Sequence, residues 1–302
     1  MLRIFALSLM LSGLVVGAEP AQPKVKSTSN ITYSTVDGVK LQLDLVVPDS
    51  PGPHPCVICF HGGAWKGGSR RDLPTTGFAS AKSSTKLGML EAFAMKGYAA
   101  ASVTYRLAPK HQFPAQIQDA KTAVRFLRAN AKKYNLDGER FAALGFSAGG
   151  HLAALLGTTD AKAGFDTKEH GEVTSKVQAV VDFFGPTDLS LYCETPGIND
   201  AFMLPLLGKE CLKDRKLYDR ASPTAYVTSD DAPVLILHGN ADIIVPVLHS
   251  ELFKKKLEGA RVPVKMITLD GRGHGWSGDD VDDTARATIA FLDEHLRKGS
   301  KK

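Results

Sequence analysis

The chain has 302 residues, 43% of them hydrophobic and 23% charged, with a formal net charge of +5. That balance excludes a disordered or fibrous polypeptide and suffices to bury a large core. Lys and Arg are dispersed among acids, with only short clusters such as Lys254-Lys255-Lys256 and a basic C-terminal tail. No stripe suited to nucleic acid or an anionic membrane surface results.

The N-terminus reads MLRIFALSLMLSGLVVGAEP, one Arg followed by an apolar run from Ile4 to Gly17. Val16-Gly17-Ala18 has the small-residue form of a signal-peptidase site, so residues 1–18 are expected to be a cleaved export signal. The mature protein is then expected in a periplasm or outside the cell. The run is shorter than the ~20 residues of a spanning helix, and no other stretch is long and apolar enough to span a bilayer. No long Pro/Ser/Gly linker and no internal repeat follows, so residues 19–302 are expected to form one domain.

NITYSTVDG and VKLQLDLVVP are alternating runs joined by Asp37-Gly38, a hairpin signal. The pattern then changes to short continuous apolar runs: CVICF, AAASVTY, RFAALGF, VQAVVDFFG, PVLILHG and VKMITLD. Such runs mark strands covered on both faces, with helices between them. The clearest helix spans residues 115–134, where Ile117, Ala120, Val124, Leu127 and Ala131 form one apolar stripe. A second, from Asp283 to His295, ends the chain. The expected fold class is α/β: a mostly parallel central sheet with an antiparallel N-terminal hairpin and helices on both faces. Active sites of such sheets gather at the carboxyl ends of the strands. The stretch from Pro186 to Asp231 breaks the rhythm, with scattered apolar residues such as Phe202, Leu204 and Leu206. It is read as a small lid-like insertion over the sheet, with a plain surface loop as the alternative.

Of four cysteines, Cys193 and Cys211 lie in this Pro/Gly/Asp-rich insertion, where an exported protein can form a disulfide. Cys56 and Cys59 sit three apart on a strand, facing opposite sides. They suit neither a local disulfide nor a zinc site and read as buried thiols.

AALGFSAGGHLA places Ser147 in a G-x-S-x-G pattern, after a strand-like run and before a helix. A serine hydroxyl needs a base to take its proton and a third group to orient that base. His274, flanked by Gly273 and Gly275, follows the last strand-like run, and Asp242 follows the one before it. The order Ser147, Asp242, His274, each after a separate strand, identifies a candidate triad. Asp182, Asp188 and Asp270 also stand near strand ends and compete for the acid role. His61 and His238 read as loop-bracing residues and His151 as structural. Backbone N–H groups are the best donors to the charge that develops on an attacked carbonyl, and the glycines of FHGGAWKGGS let a backbone approach a substrate. With no G-x-x-x-x-G-K-[ST] and no G-x-G-x-x-G followed by an acid, a phosphate or dinucleotide site is disfavoured. Neither metal nor organic cofactor is required.

Together, HGGAW, YRLAP, FPAQIQDAKTAVRFLRANA, GFSAGGHLA, VDFFGPTDL, HGNADIIVP and GHGW, over about residues 40–297, resemble the α/β-hydrolase esterases. The resemblance is greatest to the branch with an H-G-G-[GA]-W loop, which includes acetylxylan or feruloyl esterases and hormone-sensitive-lipase-like enzymes. It implies an α/β-hydrolase fold, a serine esterase, and oxyanion donors at Gly63, Ala64 and Ala148. Phe146 and Ala64 stand where the lipase-like branch often has Asp and a third Gly. These departures and the export signal favour short-chain acyl (acetyl or feruloyl) esters of carbohydrates as substrates. Trp65 and Trp276 are expected to offer flat faces to sugar or phenolic rings. A general carboxylesterase or lipase, a peptidase or amidase, and a non-catalytic protein of the same fold remain alternatives.

Overall fold

The computed structural model describes residues 24–73 and 88–297, so the expected export signal lies outside the described residues. Asp37 and Gly38, both at positive φ, turn strand β1 (Val25–Val36) into its antiparallel partner β2 (Val39–Pro48). Left-handed backbone at both central positions matches the twist of two-residue hairpins. The chain continues through β3 (His54–Phe60), α1 (Met89–Met95), β4 (Ala99–Val103), α2 (Ala115–Ala129), β5 (Leu136–Phe146) and α3 (Ala148–Thr158). After β6 (Ala179–Phe183) come β7 (Val234–Gly239), β8 (Val264–Leu269) and the helices named below. The sheet has eight strands in the order β1-β2-β4-β3-β5-β6-β7-β8. β2 meets β4 antiparallel, and every pairing from β4 to β8 is parallel. This is the α/β-hydrolase architecture that the resemblance implies.

Every residue of β3, β4, β6 and β7 is buried, which is why their sequences are continuously apolar rather than alternating. Along β3, Cys56, Ile58 and Phe60 enter one core while Val57 and Cys59 enter the other. The first core packs beneath α2, α3 and a helix α7 (Leu248–Gly259); the second packs beneath α1 and a C-terminal helix α8 (Asp279–Leu296). Cys56 and Cys59 are free, buried thiols whose pKa values burial pushes up. The helix expected to reach residue 134 stops at Ala129, and turns carry the chain on to β5. Asn135, at positive φ, makes the final bend.

The region 186–231 is more regular than its irregular hydrophobic spacing suggests. It contains a 3-10 turn (Leu189–Glu194), α4 (Pro196–Ile198), a π-helix (Asn199–Met203), α5 (Leu204–Leu207) and α6 (Arg215–Arg220). A further 3-10 turn (Pro223–Ala225) leads back to the sheet. Elements this short never repeat a 3.6-residue stripe, so periodicity does not reveal them. The Cys193–Cys211 disulfide ties the ends of the central turns together across an 18-residue separation.

Arg106, just after β4, and Asp119 on α2 are joined by three side-chain hydrogen bonds of 2.7–3.0 Å, and Asp119 also accepts the Arg106 backbone N–H. Asp119 is 2% exposed. Removing one partner of such a pair strands the other charge in the interior. Asp119→Ala is therefore expected to lower stability by about 3–5 kcal/mol, read as a lower urea midpoint at unchanged slope. A change under about 1 kcal/mol, the scale of an exposed pair, would show that the pair does not hold α2 to the sheet.

Candidate active site

β5 runs directly into α3 through Ser147, whose φ of 53° and ψ of −118° lie outside the helical region. Such a backbone costs an L-residue energy, so the surroundings must impose it. Two contacts do so: the Ser147 N–H donates to the Phe183 carbonyl at 2.9 Å, and its carbonyl accepts the His151 N–H at 3.0 Å. The neighbouring glycines allow the tight turn. A Cβ at Gly145 would collide with the Gly149 carbonyl, and one at Gly149 with the Phe60 carbonyl. Small residues therefore let the helix start directly above the strand ends.

His274 lies on the loop between β8 and α8. Its Nε2 is 2.9 Å from Ser147 Oγ and its Nδ1 is 2.6 Å from Asp242 Oδ2. The loop is shaped by Gly275, at φ 120°, and stitched to the end of β7 by the Ala241 N–H donating to Arg272 and by Asn240 bonding both Asp270 and Gly271. Asp242 Oδ1 accepts the N–H groups of Ile244 and Val245, both at 2.9 Å, which fixes the carboxylate plane. Oδ2 also lies 3.3 Å from His238 Nε2. Burial alone would raise the Asp242 pKa. The hydrogen bonds from His238, His274 and Val245 outweigh it and hold the carboxyl well below the usual carboxylate range. Three side chains from three strand ends thus form one continuous hydrogen-bonded chain.

The acids that compete for this role are engaged elsewhere. Asp188 accepts from Ser190 at the start of a 3-10 turn, and Asp270 bonds Asn240. Asp182 is buried and accepts the Gly185 N–H, and burial raises its pKa to about 6. His151 is buried between Trp65 and the Ala221 carbonyl, and desolvation lowers its pKa to about 4. His61 stacks on Tyr105 and bonds the Gly62 carbonyl.

Gly63, Ala64 and Trp65 all have positive φ, at 108°, 51° and 57°. Among the described residues no backbone group accepts the N–H of Gly63, Ala64 or Ala148. Ala148 opens α3, where the first-turn N–H groups have no partner within the helix and the helix dipole favours negative charge. Gly63, Ala64, Ser147 and His274 line one cleft of about 500 Å³, together with Phe146, Phe184, Phe202 and Ile244. A second, small pocket of about 30 Å³ opens beside it, lined by Trp65, Pro186, Tyr192, Met203 and Val245 and sharing Ala64, Ser147, Phe202 and Ile244 with the cleft. Among the described residues no cluster of His, Cys, Asp and Glu could hold a metal ion. No described helix is long and apolar enough to cross a membrane.

The two tryptophans do not act as the sequence suggests. Trp65 is 2% exposed and donates its indole N–H to His151 Nδ1, so it presents no open face to a ring. It does line the small pocket. Trp276 bonds Thr284 and packs against Phe183 and Phe184, behind the cleft rather than in it. Two residues with a part in the site escape the sequence pattern. His238 braces a loop, as expected, but it also contacts the Asp242 carboxylate; Phe184 packs its ring 4.7 Å from the His274 ring. His238 has one legible signal, its position at the end of β7 four residues before Asp242. Phe184 has none.

Comparison with known proteins finds esterases. The esterase LipC of Mycobacterium tuberculosis is 32% identical over 248 residues, 80% of this chain and 59% of the relative. Across three curated relatives from that organism the chain spans 52–59% of their length. A truncated carbohydrate esterase from gut microbiota superposes with a TM-score of 0.71 at 27% identity, covering 90% of this chain and 97% of that one. An acetyl ester-xyloside bifunctional hydrolase from Caldicellulosiruptor lactoaceticus gives a TM-score of 0.73 at 25% identity, covering 88% and 96%. Residues 43–257 match the family described as BD-FAE. With most of its length inside that match, the chain belongs to the BD-FAE family of α/β-hydrolases.

Proposed function

We propose that the protein is a carboxylic ester hydrolase that removes short acyl groups, acetyl or feruloyl, from carbohydrates through an acyl-enzyme on Ser147. The observation that carries this reading is the hydrogen-bonded run from Ser147 Oγ through His274 to Asp242, beside N–H groups of the 63–64 turn and Ala148 that donate to no backbone carbonyl among the described residues. In this mechanism neutral His274 takes the Ser147 proton as Oγ attacks the ester carbonyl. The oxyanion is held by the N–H groups of Gly63, Ala64 and Ala148. Asp242 stabilises the imidazolium, the alcohol leaves with the proton, and water then releases the acid by the same route. Relatives described as esterases, and the acetyl ester-xyloside hydrolase and carbohydrate esterase among solved structures, support the substrate class. Export is part of the proposal, supported by the apolar run before Ala18 and by a disulfide of the kind that persists in oxidising compartments.

The test is a fluorophosphonate probe followed by peptide mapping, beside a panel of aryl acetates, feruloyl esters and acetylated xylan. Labelling at Ser147 with release of acetate or ferulate is the expected result. An unlabelled, inert protein would favour a non-catalytic role, and cleavage of amides at comparable rates would move it to the amidases.

A further inference from the structure

The two cavities at Ser147 differ in more than size. His274 lines the wide cleft and not the small pocket, whereas Trp65, Tyr192, Met203 and Val245 line the small pocket and not the cleft. On the esterase reading, on which this inference rests, His274 must return its proton to the departing alcohol oxygen, so that oxygen has to sit on the His274 side. The alcohol then occupies the cleft. The acyl chain, on the other side of the same carbonyl carbon, points into the small pocket.

We propose that Tyr192 and Met203 close this pocket and limit the acyl group to about four carbons, so that acetyl to butyryl esters are substrates and feruloyl esters are excluded. About 30 Å³ holds two or three water-sized groups at about 10–15 Å³ each. A methyl, ethyl or propyl group fits; a phenylpropenoyl group does not. The wall has little room to move. Met203, the last residue of the π-helix, is 1% exposed, and Tyr192 is 3% exposed. The Tyr192 ring packs 4.8 Å from His249, and its hydroxyl donates to the Ile244 carbonyl. The π-helix is held at its first residue and at its middle: Asn199 accepts from Tyr218 at 2.6 Å, and the Ala201 carbonyl accepts from Lys66 at 2.7 Å. Cys193, next to Tyr192, is fastened to Cys211 by the disulfide.

The experiment compares kcat/KM for p-nitrophenyl acetate, butyrate and hexanoate and for methyl ferulate, in the wild type, Met203→Ala and Ile244→Ala. Ile244 borders the pocket at 41% exposure, so its truncation tests the wall without emptying the core. The wild type is expected to lose about tenfold or more from butyrate to hexanoate, the scale on which a tight pocket discriminates added methylenes. Both variants are expected to raise the hexanoate-to-butyrate ratio by about tenfold. If Met203→Ala does not fold, Ile244→Ala decides. A wild type that prefers hexanoate or turns over methyl ferulate as fast as the acetate overturns the proposal, as does an unchanged ratio in the folded variants. A protein inert to all four esters and unlabelled at Ser147 overturns the esterase reading itself, a separate result.

Discussion

Ser147→Ala is expected to lower kcat/KM for p-nitrophenyl acetate by about 10⁴–10⁶-fold while leaving the fold intact. The side-chain hydroxyl has His274 as its hydrogen-bond partner, and the contacts that impose the turn run through the Ser147 backbone. Alanine keeps the Cβ and therefore adds no clash at φ 53°. What survives is the oxyanion site and the binding cleft, which in other serine hydrolases retain a small acceleration over water after the nucleophile is gone. Circular dichroism and the thermal midpoint should match the wild type. Turnover within tenfold of wild type would remove Ser147 from the mechanism.

Asp242→Asn should cost about 10⁴-fold in kcat, as tautomer inversion does in the best-studied triad. The backbone decides which way the amide turns. Ile244 and Val245 both donate to Oδ1, so the amide oxygen has to take that place. Its NH₂ group then faces His274 Nδ1 and His238 Nε2 together. His274 must accept there, which puts its proton on Nε2, the nitrogen that has to receive the Ser147 proton. Asp188→Asn serves as the control, since that carboxylate only caps a 3-10 turn. Equal damage from Asp188→Asn and little from Asp242→Asn would reassign the acid.

The regular part of the fold could be read because its physics is local. Continuous apolar runs for strands buried on both faces, and Asp37-Gly38 for the hairpin, depend on neighbours in sequence. The residues brought together at the site were legible for a related reason: Ser147, Asp242 and His274 each follow a strand, and a parallel sheet collects its strand ends. The pocket wall was hidden. Tyr192 and Met203 sit on a 3-10 turn and a π-helix too short to show a period, so only their three-dimensional neighbours reveal them. The tryptophans failed for the opposite reason. An aromatic beside a catalytic motif looks like a platform in sequence, yet Trp65 and Trp276 each have a polar partner, His151 and Thr284, that turns the indole inward.

The depressed pKa of Asp242 ties the site to the acid tolerance of the whole molecule. In an unfolded chain this carboxyl titrates near its ordinary 3.8; in the native protein it titrates lower. Above that range both states carry the charge, and the hydrogen bonds around Oδ1 and Oδ2 contribute their full share to stability. As pH falls below it the unfolded chain takes up a proton that the native one refuses, and the contribution drains away until the folded carboxyl protonates too. A carboxylate arranged to steady an imidazolium is thereby also a proton-linked brace, so that strong acid loosens the fold at the residue that orients His274.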